Sequence, residues 1–526
     1  MTKTGLVKAA SVVAALTIVS KILGFIRETS LAAVFGATSD TDAYLLAQTI
    51  PHLLFAAISY ALTTTFIPVY SHVREERGKE AGFRFANNVI WALLFVAVLF
   101  VFAGEALAEQ LVRFVAPGLD DPVAKLTEYL SRIIFPMMLF QLLSGVVTGI
   151  LQADGEFGVP TAAGLAQNVA IIVSILVFGP RYGIASVAVG TLVGAGLALF
   201  VKLPALAGTG FRWRAVFDLR DPGLKRMFIL MLPAILGAGA NQVNTLVDRM
   251  LASGLAEGRL TALNYANRLT QLAPGIIGAS ITTVVYPTLA RLAAKKDWQR
   301  FSAGVVSSLS LVHFLLLPIA VGVLVLREPL VRIVYERGAF DAVATNETAW
   351  ALLFFSIGIA AFPMQDLVSR TFFTLQDTKT PLVLGGVTVA TNVILNLLLV
   401  GPLEQGGLAL ATVVATTVGL ILGLFALKRR GLGKLTWKPL LVSMGKTLIA
   451  SLIMGFAVIW VYRYSASLVP GQRTVHELVR TGLAAVFGAA LYLALTWVLR
   501  VEELQVAVNY VLGLSKRLGS LRAKVG

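Results

Sequence analysis

Lys21, Arg27 and Glu28 stand in the apolar run Ser20-Lys-Ile-Leu-Gly-Phe-Ile-Arg-Glu-Thr29, Asp248 and Arg249 sit side by side in another, and Arg268 lies in Tyr265-Ala-Asn-Arg-Leu269. Asp42 opens a further run. A charge at the centre of a bilayer costs at least about 2.5–3.5 kcal/mol on insertion scales, so it persists where it faces water or a partner. Lys21 and Arg27 are six residues apart, within about 120° on a helix, so both can look into one cavity. An ammonium and forked guanidiniums gathered in such a cavity bind anions, and the fork suits phosphate. A second constellation is built from oxygen. Asn392 and Asn396 share a helix face at i,i+4, and with Asp248 and Thr412 they could surround a hard cation such as sodium.

The elements that must position these groups are transmembrane helices. The 526 residues are 57% hydrophobic and only 14% charged, and the mean hydropathy is +0.81. Soluble domains carry roughly 25% charged residues, so a soluble enzyme is excluded. Asn88 to Gly104 is continuously apolar after its first residues, which argues against the alternating strands of a membrane barrel. Fourteen spans are expected, centred near residues 20, 58, 95, 140, 168, 193, 238, 276, 313, 360, 390, 416, 452 and 488. With the N-terminus inside, the cytoplasmic segments 1–8, 72–85, 208–226, 291–300, 376–380, 428–446 and 500–526 hold most of the 44 Lys and Arg. This positive-inside bias places both termini in the cytoplasm. It also explains the net charge of +16 by topology and anionic lipid, without nucleic acid. Lys3 and Lys8 precede an apolar run that continues past residue 30, so the run reads as a retained first helix and not as a cleaved signal. There is no cysteine. Disulfides, thiolate chemistry and Cys-ligated metals are excluded, and the four scattered histidines make no metal cluster.

Internal repetition organises the chain. Leu151-Gln152 with Pro160, Gly179-Pro180 and Gly183-Ile184-Ala185 recur as Leu375-Gln376 with Pro381, Gly401-Pro402 and Gly407-Leu408-Ala409, at offsets of 224, 222 and 224 residues. Phe66-Ile-Pro-Val-Tyr70 is echoed by Val285-Tyr-Pro-Thr-Leu289, an offset of 219. Two six-helix lobes are expected, 1–210 (spans one to six) and 223–430 (spans seven to twelve). Six is even, so the lobes are parallel repeats about an axis along the membrane normal. Spans thirteen and fourteen and a basic tail, 438–526, fall outside the duplication.

The residues Ser20-Lys-Ile-Leu-Gly-Phe-Ile-Arg-Glu28, Phe35-Gly36, Thr41-Asp42-Ala43 and Ile50-Pro51 resemble the opening of the MurJ (MviN) family, flippases for the peptidoglycan precursor lipid II. Tyr265-Ala-Asn-Arg-Leu269 and Leu375-Gln-Asp-Thr-Lys-Thr-Pro381 are similar to that family's eighth helix and to its loop between helices 10 and 11. The resemblance spans essentially the whole chain. It implies the multidrug/oligosaccharidyl-lipid/polysaccharide (MOP) exporter fold, with two six-helix lobes in a V around a cavity that alternates between inward-open and outward-open states. Arg27 and Arg268 match arginines of the family's cationic cavity, and Asp42 matches a functional carboxylate. Lys21 stands where many members have Arg, and Glu28 where many have Asp. The stretch 54–59 departs from the pattern, replacing an Arg-rich, Glu-containing segment of some members. The resemblance further implies a sodium site, since some members bind sodium at positions corresponding to Asp248, Asn392, Asn396 and Thr412, although an Asn at 396 in place of a carboxylate lowers the charge of such a site.

A lipid-linked disaccharide-pentapeptide needs a wet cavity for its head, fixed cations for its diphosphate and lipid for its tail. Arg27, Arg268 and Lys21 supply the cations, and spans thirteen and fourteen offer an apolar groove. No Walker A loop occurs, so an ion gradient, the membrane potential or substrate supply must drive transport, with no obligatory cofactor. The expected reading is a monomeric lipid II flippase of the bacterial cytoplasmic membrane. The alternatives are an exporter of another lipid-linked glycan, a drug/ion antiporter of the same fold, and a membrane-embedded glycosyl- or phosphotransferase. Arg27 and Arg268 argue against the antiporter, and the short loops, without clustered acids or histidines, argue against the enzyme.

Overall fold

In hydrocarbon every backbone N–H and C=O must find a partner, which a helix provides within its own segment. The computed structural model describes residues 3–431, 437–471 and 474–505, and among the described residues it holds helices and no strand. The basic tail beyond residue 505 lies outside the described residues. Among the described residues ten helices are long and apolar enough to cross a membrane, and the pair Ala342–Ile357 and Ala361–Thr374, bent by 41°, makes an eleventh if it is one span. The three long helical stretches outside that set are Lys3–Phe35, Pro222–Ala252 and 259–294. They carry Lys21, Arg27 and Glu28, then Asp248 and Arg249, then Arg268. The count of fourteen therefore depends on these charge-bearing stretches crossing as well.

The second span is one helix, Ser39–Arg77, and it runs unbroken through Pro51 and Pro68, although each proline lacks the N–H its turn would use. Ahead of Pro68 the hydroxyls of Thr63, Thr64 and Thr65 donate to the carbonyls of Ser59, Tyr60 and Ala61 at 3.0, 2.9 and 2.7 Å. These hydroxyls add a second donor to carbonyls one turn before the one that Pro68 leaves without an N–H, and such side-chain bonds bend a helix slightly.

Packing divides the chain into two units, Met1–Thr261 with Tyr335–Ala344, and Ala262–Val334 with Thr345–Gly526. They do not coincide with the duplicated halves, because Pro222–Ala252 packs along Ser39–Arg77 and so joins the first unit. That unit centres on Phe66, stacked on Tyr70 at 5.4 Å and Phe85 at 6.0 Å, amid Leu62, Leu93, Ile150 and Met227. The second unit buries Phe301, Leu309, Met364 and Phe372. Its terminal helices Lys438–Leu468 and Thr474–Val498 dock on Trp298–Val325, where Tyr492 donates to the Phe314 carbonyl at 2.8 Å. Large side chains such as Phe102, Phe456 and Trp497 point outward, as lipid solvent permits.

Residues 209–221, between the duplicated halves, form an extended strap along Lys79–Ala106. Asn87 donates to the Arg212 carbonyl at 2.9 Å and accepts the Arg214 N–H at 3.0 Å. Asn88 makes the same two-way bond with Asp218, both at 2.8 Å, and the Trp91 indole donates to the Arg214 carbonyl at 3.0 Å. Adjacent asparagines thus give the strap the partners a neighbouring strand would give. Asp221 then caps Pro222–Ala252, accepting the Leu224 N–H at 2.8 Å.

Candidate functional site

Arg27 is the best-defined element of the first unit's cationic site. The helix Lys3–Phe35 meets Gly158–Val173 through small residues: a Cβ on Gly164 would lie 3.3 Å from the Ser20 hydroxyl, and Gly24 faces Asn168. Ser20 and Gly24, four apart on the first helix, and Gly164 on the second permit this close approach. They bring the Asn168 amide oxygen to 3.3 Å from one Arg27 nitrogen, while Glu28 holds the other at 2.7 Å. Glu28 is buried, and the Arg27 side chain keeps 29% of its surface open. Of five N–H donors on the guanidinium, these contacts fix the plane and leave others for an anion. Asn168 was not anticipated from the sequence, although its i,i+4 relation to Gly164 mirrors that of Ser20 and Gly24.

Asp42 does not join that cluster. Its buried carboxylate accepts the Gly258 N–H at 2.7 Å, the Thr261 N–H at 2.8 Å and the Thr261 hydroxyl at 2.5 Å. These donors belong to the first turn of the helix Arg259–Thr270 and the residue before it, where N–H groups lack intrahelical partners, so Asp42 serves as a cap from outside. Arg249 is near enough to act on it electrostatically. Beside it, Glu257 accepts the Ser39 N–H at 2.9 Å, and the bonds with Ser39 hold this loop carboxyl below its usual range. The Ala339 N–H donates to Ala33 at 2.8 Å, and Gly118 N–H to the Ser253 hydroxyl at 3.2 Å. Four separate loops are therefore clasped at one end of this unit. Thr261 lies 219 residues after Asp42, the same offset as Pro287 from Pro68; adding the repeat length to Asp42 would have pointed to it.

The remaining residues divide between the units. Lys21 is exposed on the first helix, and Arg268 is exposed on Arg259–Thr270 in the second unit. Of the oxygen set, Asn392, Asn396 and Thr412 come together in the second unit: Asn396 donates to the Asn392 oxygen at 2.8 Å, and Asn392 to the Thr412 hydroxyl at 3.2 Å. Both asparagines are buried. Asp248 belongs to the first unit, half-buried on Pro222–Ala252. Among the described residues no group of three or more His, Cys, Asp or Glu gathers as a metal cluster.

The helical bundle has the fold of transporters of the MOP exporter superfamily. A solved structure of a multidrug MATE-family transporter of that superfamily superposes with a TM-score of 0.65 at 14% identity, covering 80% of this chain and 98% of that one. A solved lipid II flippase MurJ in an inward closed conformation gives 0.78 at 24% identity, covering 93% and 98%. The chain belongs to the MurJ family: the family profile described as lipid II flippase MurJ matches residues 31–476. A probable lipid II flippase MurJ of Rhizobium tropici is 30% identical over 502 residues, 93% of each chain. The lipid II flippase MurJ of Burkholderia cenocepacia is 28% identical over 513 residues, covering 94% of this chain and 97% of its own.

Proposed function

We propose that this protein is a lipid II flippase, carrying the undecaprenyl-pyrophosphate-linked peptidoglycan precursor from the inner to the outer leaflet of the bacterial cytoplasmic membrane by alternating access. The family match over residues 31–476 carries the reading. The geometry of Arg27 supports it, since a guanidinium oriented by Glu28 and Asn168 presents its free donors to diphosphate oxygens without first having to be ordered. Arg268 and Lys21 supply further cations, and the isoprenoid tail stays in lipid beside the terminal helices. The protein works as a monomer with both termini in the cytoplasm. The 36–42 turn then lies at the outer face, and the clasp on Asp42 is a gate that must open to release substrate outward. In this role the protein forms and breaks no covalent bond.

We further propose sodium as the coupling ion, with coupling dependent on Asp248 in the first unit and on the oxygens of Asn392, Asn396 and Thr412 in the second. The neutral, buried oxygen donors of the second unit fit a hard monovalent cation. The decisive test is complementation of cells depleted of their own lipid II flippase. Growth restored by the intact chain and lost in Arg27→Ala, at equal membrane abundance, supports the reading. Death of cells that carry correctly inserted protein overturns it.

A further inference from the structure

At the end of Ser39–Arg77 opposite the Asp42 clasp, a cavity of about 440 Å³ opens between that helix, Lys79–Ala106 and the start of Pro222–Ala252. Each of the three helices sends one arginine to its wall: Arg77, Arg84 and Arg226. Among the described residues none of these guanidiniums has a carboxylate partner. Other arginines nearby do, since Arg74 pairs with Asp154, and Arg214 with Glu80 at 3.6 Å. The two carboxylates on the wall are already engaged: Asp221 caps its helix through the Leu224 N–H, and Glu76 lies 3.2 Å from the His72 ring. A lipid-exposed helix end explains arginines in general, but it does not explain three unpaired ones converging from three elements on one concavity.

The surroundings indicate what kind of anion fits. Ile229 and Leu230, one turn beyond Arg226 on the same helix face, are 71% and 47% exposed. On the neighbouring strap Trp213 and Phe217 are each 55% exposed, and aromatic rings of this kind mark the boundary between water and lipid. A phosphate in the pocket would thus have apolar surface directly above it for chains. We propose that this cavity binds the headgroup of an anionic phospholipid, with the phosphate held by Arg77, Arg84 and Arg226 and an acyl chain laid over Ile229 and Leu230. The site is separate from Arg27 and does not depend on the transport reading.

The test is native mass spectrometry of the full chain in detergent, titrated with phosphatidylglycerol or phosphatidylcholine. The expected result is a tight phosphatidylglycerol adduct that weakens by about tenfold or more in the triple variant Arg77→Gln/Arg84→Gln/Arg226→Gln, each basic residue near a lipid surface contributing about 1 kcal/mol. The corresponding triple Lys variant keeps the charge and stays within about threefold of the intact protein, while Arg214→Gln, which removes a paired arginine, changes nothing. Should the Gln triple not fold, Arg226→Gln alone is expected to weaken the adduct about threefold or more. Equal retention of phosphatidylglycerol by the Gln variants, or equal binding of phosphatidylcholine, overturns the proposal. Full displacement by millimolar inorganic pyrophosphate also overturns it, by assigning the pocket to a soluble anion. Transport activity enters none of these readouts, so their failure leaves the flippase reading untouched.

Discussion

The Asp42 carboxylate accepts both the backbone N–H and the hydroxyl of Thr261, and so ties the first turn of the second span to the first turn of the helix Arg259–Thr270. The two residues occupy matching positions at the 219-residue offset of the duplication. A carboxylate facing exposed helix N–H groups gains from hydrogen bonding and from the helix dipole together. The contact is also simple to break, because it rests on one side chain.

Asp42→Ala removes all three acceptor contacts, and a loosened clasp is the expected outcome. Introduced cysteines at Ser39 and Glu257, in a chain without natural cysteine, report the state of that clasp by cross-linking. The disulfide yield should fall several-fold in Asp42→Ala, and growth support should fall with it. Asp42→Asn keeps one acceptor oxygen but turns an N–H toward other donors, so it should lie between the two. Locking the pair shut should stop transport; unimpaired transport in the locked protein removes the clasp from the cycle.

Arg27→Ala and Arg268→Ala are each expected to abolish growth support at normal membrane abundance. Lys at either position should rescue only in part, because the bidentate fork is lost. Asn168→Ala tests orientation separately from charge. It removes one hydrogen bond to a charged group, a contribution of about 1.5–3 kcal/mol, and should weaken substrate binding while leaving Arg27 charged. Full activity in both alanine variants would remove these arginines from the proposed transport role.

Helical class and membrane environment were legible in composition alone, because lipid leaves the backbone few choices. The ionisable residues were legible as well, since charge in an apolar run needs a reason. Their partners were not. Asn168 lies 141 residues from Arg27, and the helix that carries it looks unremarkable until the small residues Ser20, Gly24 and Gly164 are seen to bring the two together. The family resemblance marks Asp42 as a functional carboxylate, but its partners here, the Gly258 and Thr261 N–H groups and the Thr261 hydroxyl, lie 216 and 219 residues away. The packing of Pro222–Ala252 on Ser39–Arg77 crosses the duplication boundary. Repeats record ancestry in chain order, and side-chain complementarity then decides which helices share a core.

A pH dependence is expected at Asp377, in the loop before Lys379–Leu403. Its carboxyl is held below the ordinary range chiefly by the Thr380 hydroxyl and N–H, with Arg430 adding to the effect. A lowered folded pKa means that the stabilisation is present at neutral pH, above the unfolded value, and is lost as pH falls through the folded value. The melting gap between the intact protein and Asp377→Asn should stay constant down to about pH 5 and close below about pH 4. A gap that widened on acidification would contradict the assignment.

For the coupling ion, Asp248→Asn is expected to weaken transport and abolish any sodium dependence, and Asn396→Leu to do the same from the second unit. Arg249→Ala should matter less for sodium. Sodium-independent transport by the unmodified protein would return Asp248 to a proton-linked or structural role.

Gly258 offers the most specific test of the clasp, because its substitution leaves every charge in place. Its φ of 77° lies in the left-handed region, and an added Cβ would sit 2.2 Å from the Ala37 carbonyl oxygen. Two costs therefore fall on Gly258→Ala: backbone strain of about 1–3 kcal/mol, and a steric clash with backbone that has no flexible end to swing away. Gly183 separates them, with φ of 66° and no heavy atom within 4 Å of an added Cβ. Gly183→Ala should show the strain alone and leave the Ser39/Glu257 cross-link intact. Gly258→Ala should lose most of the cross-link, since the loop must retreat from Ala37 and carry its N–H away from Asp42. Equal behaviour of the two variants would mean that the close approach of Gly258 to Ala37 is not what holds the clasp shut.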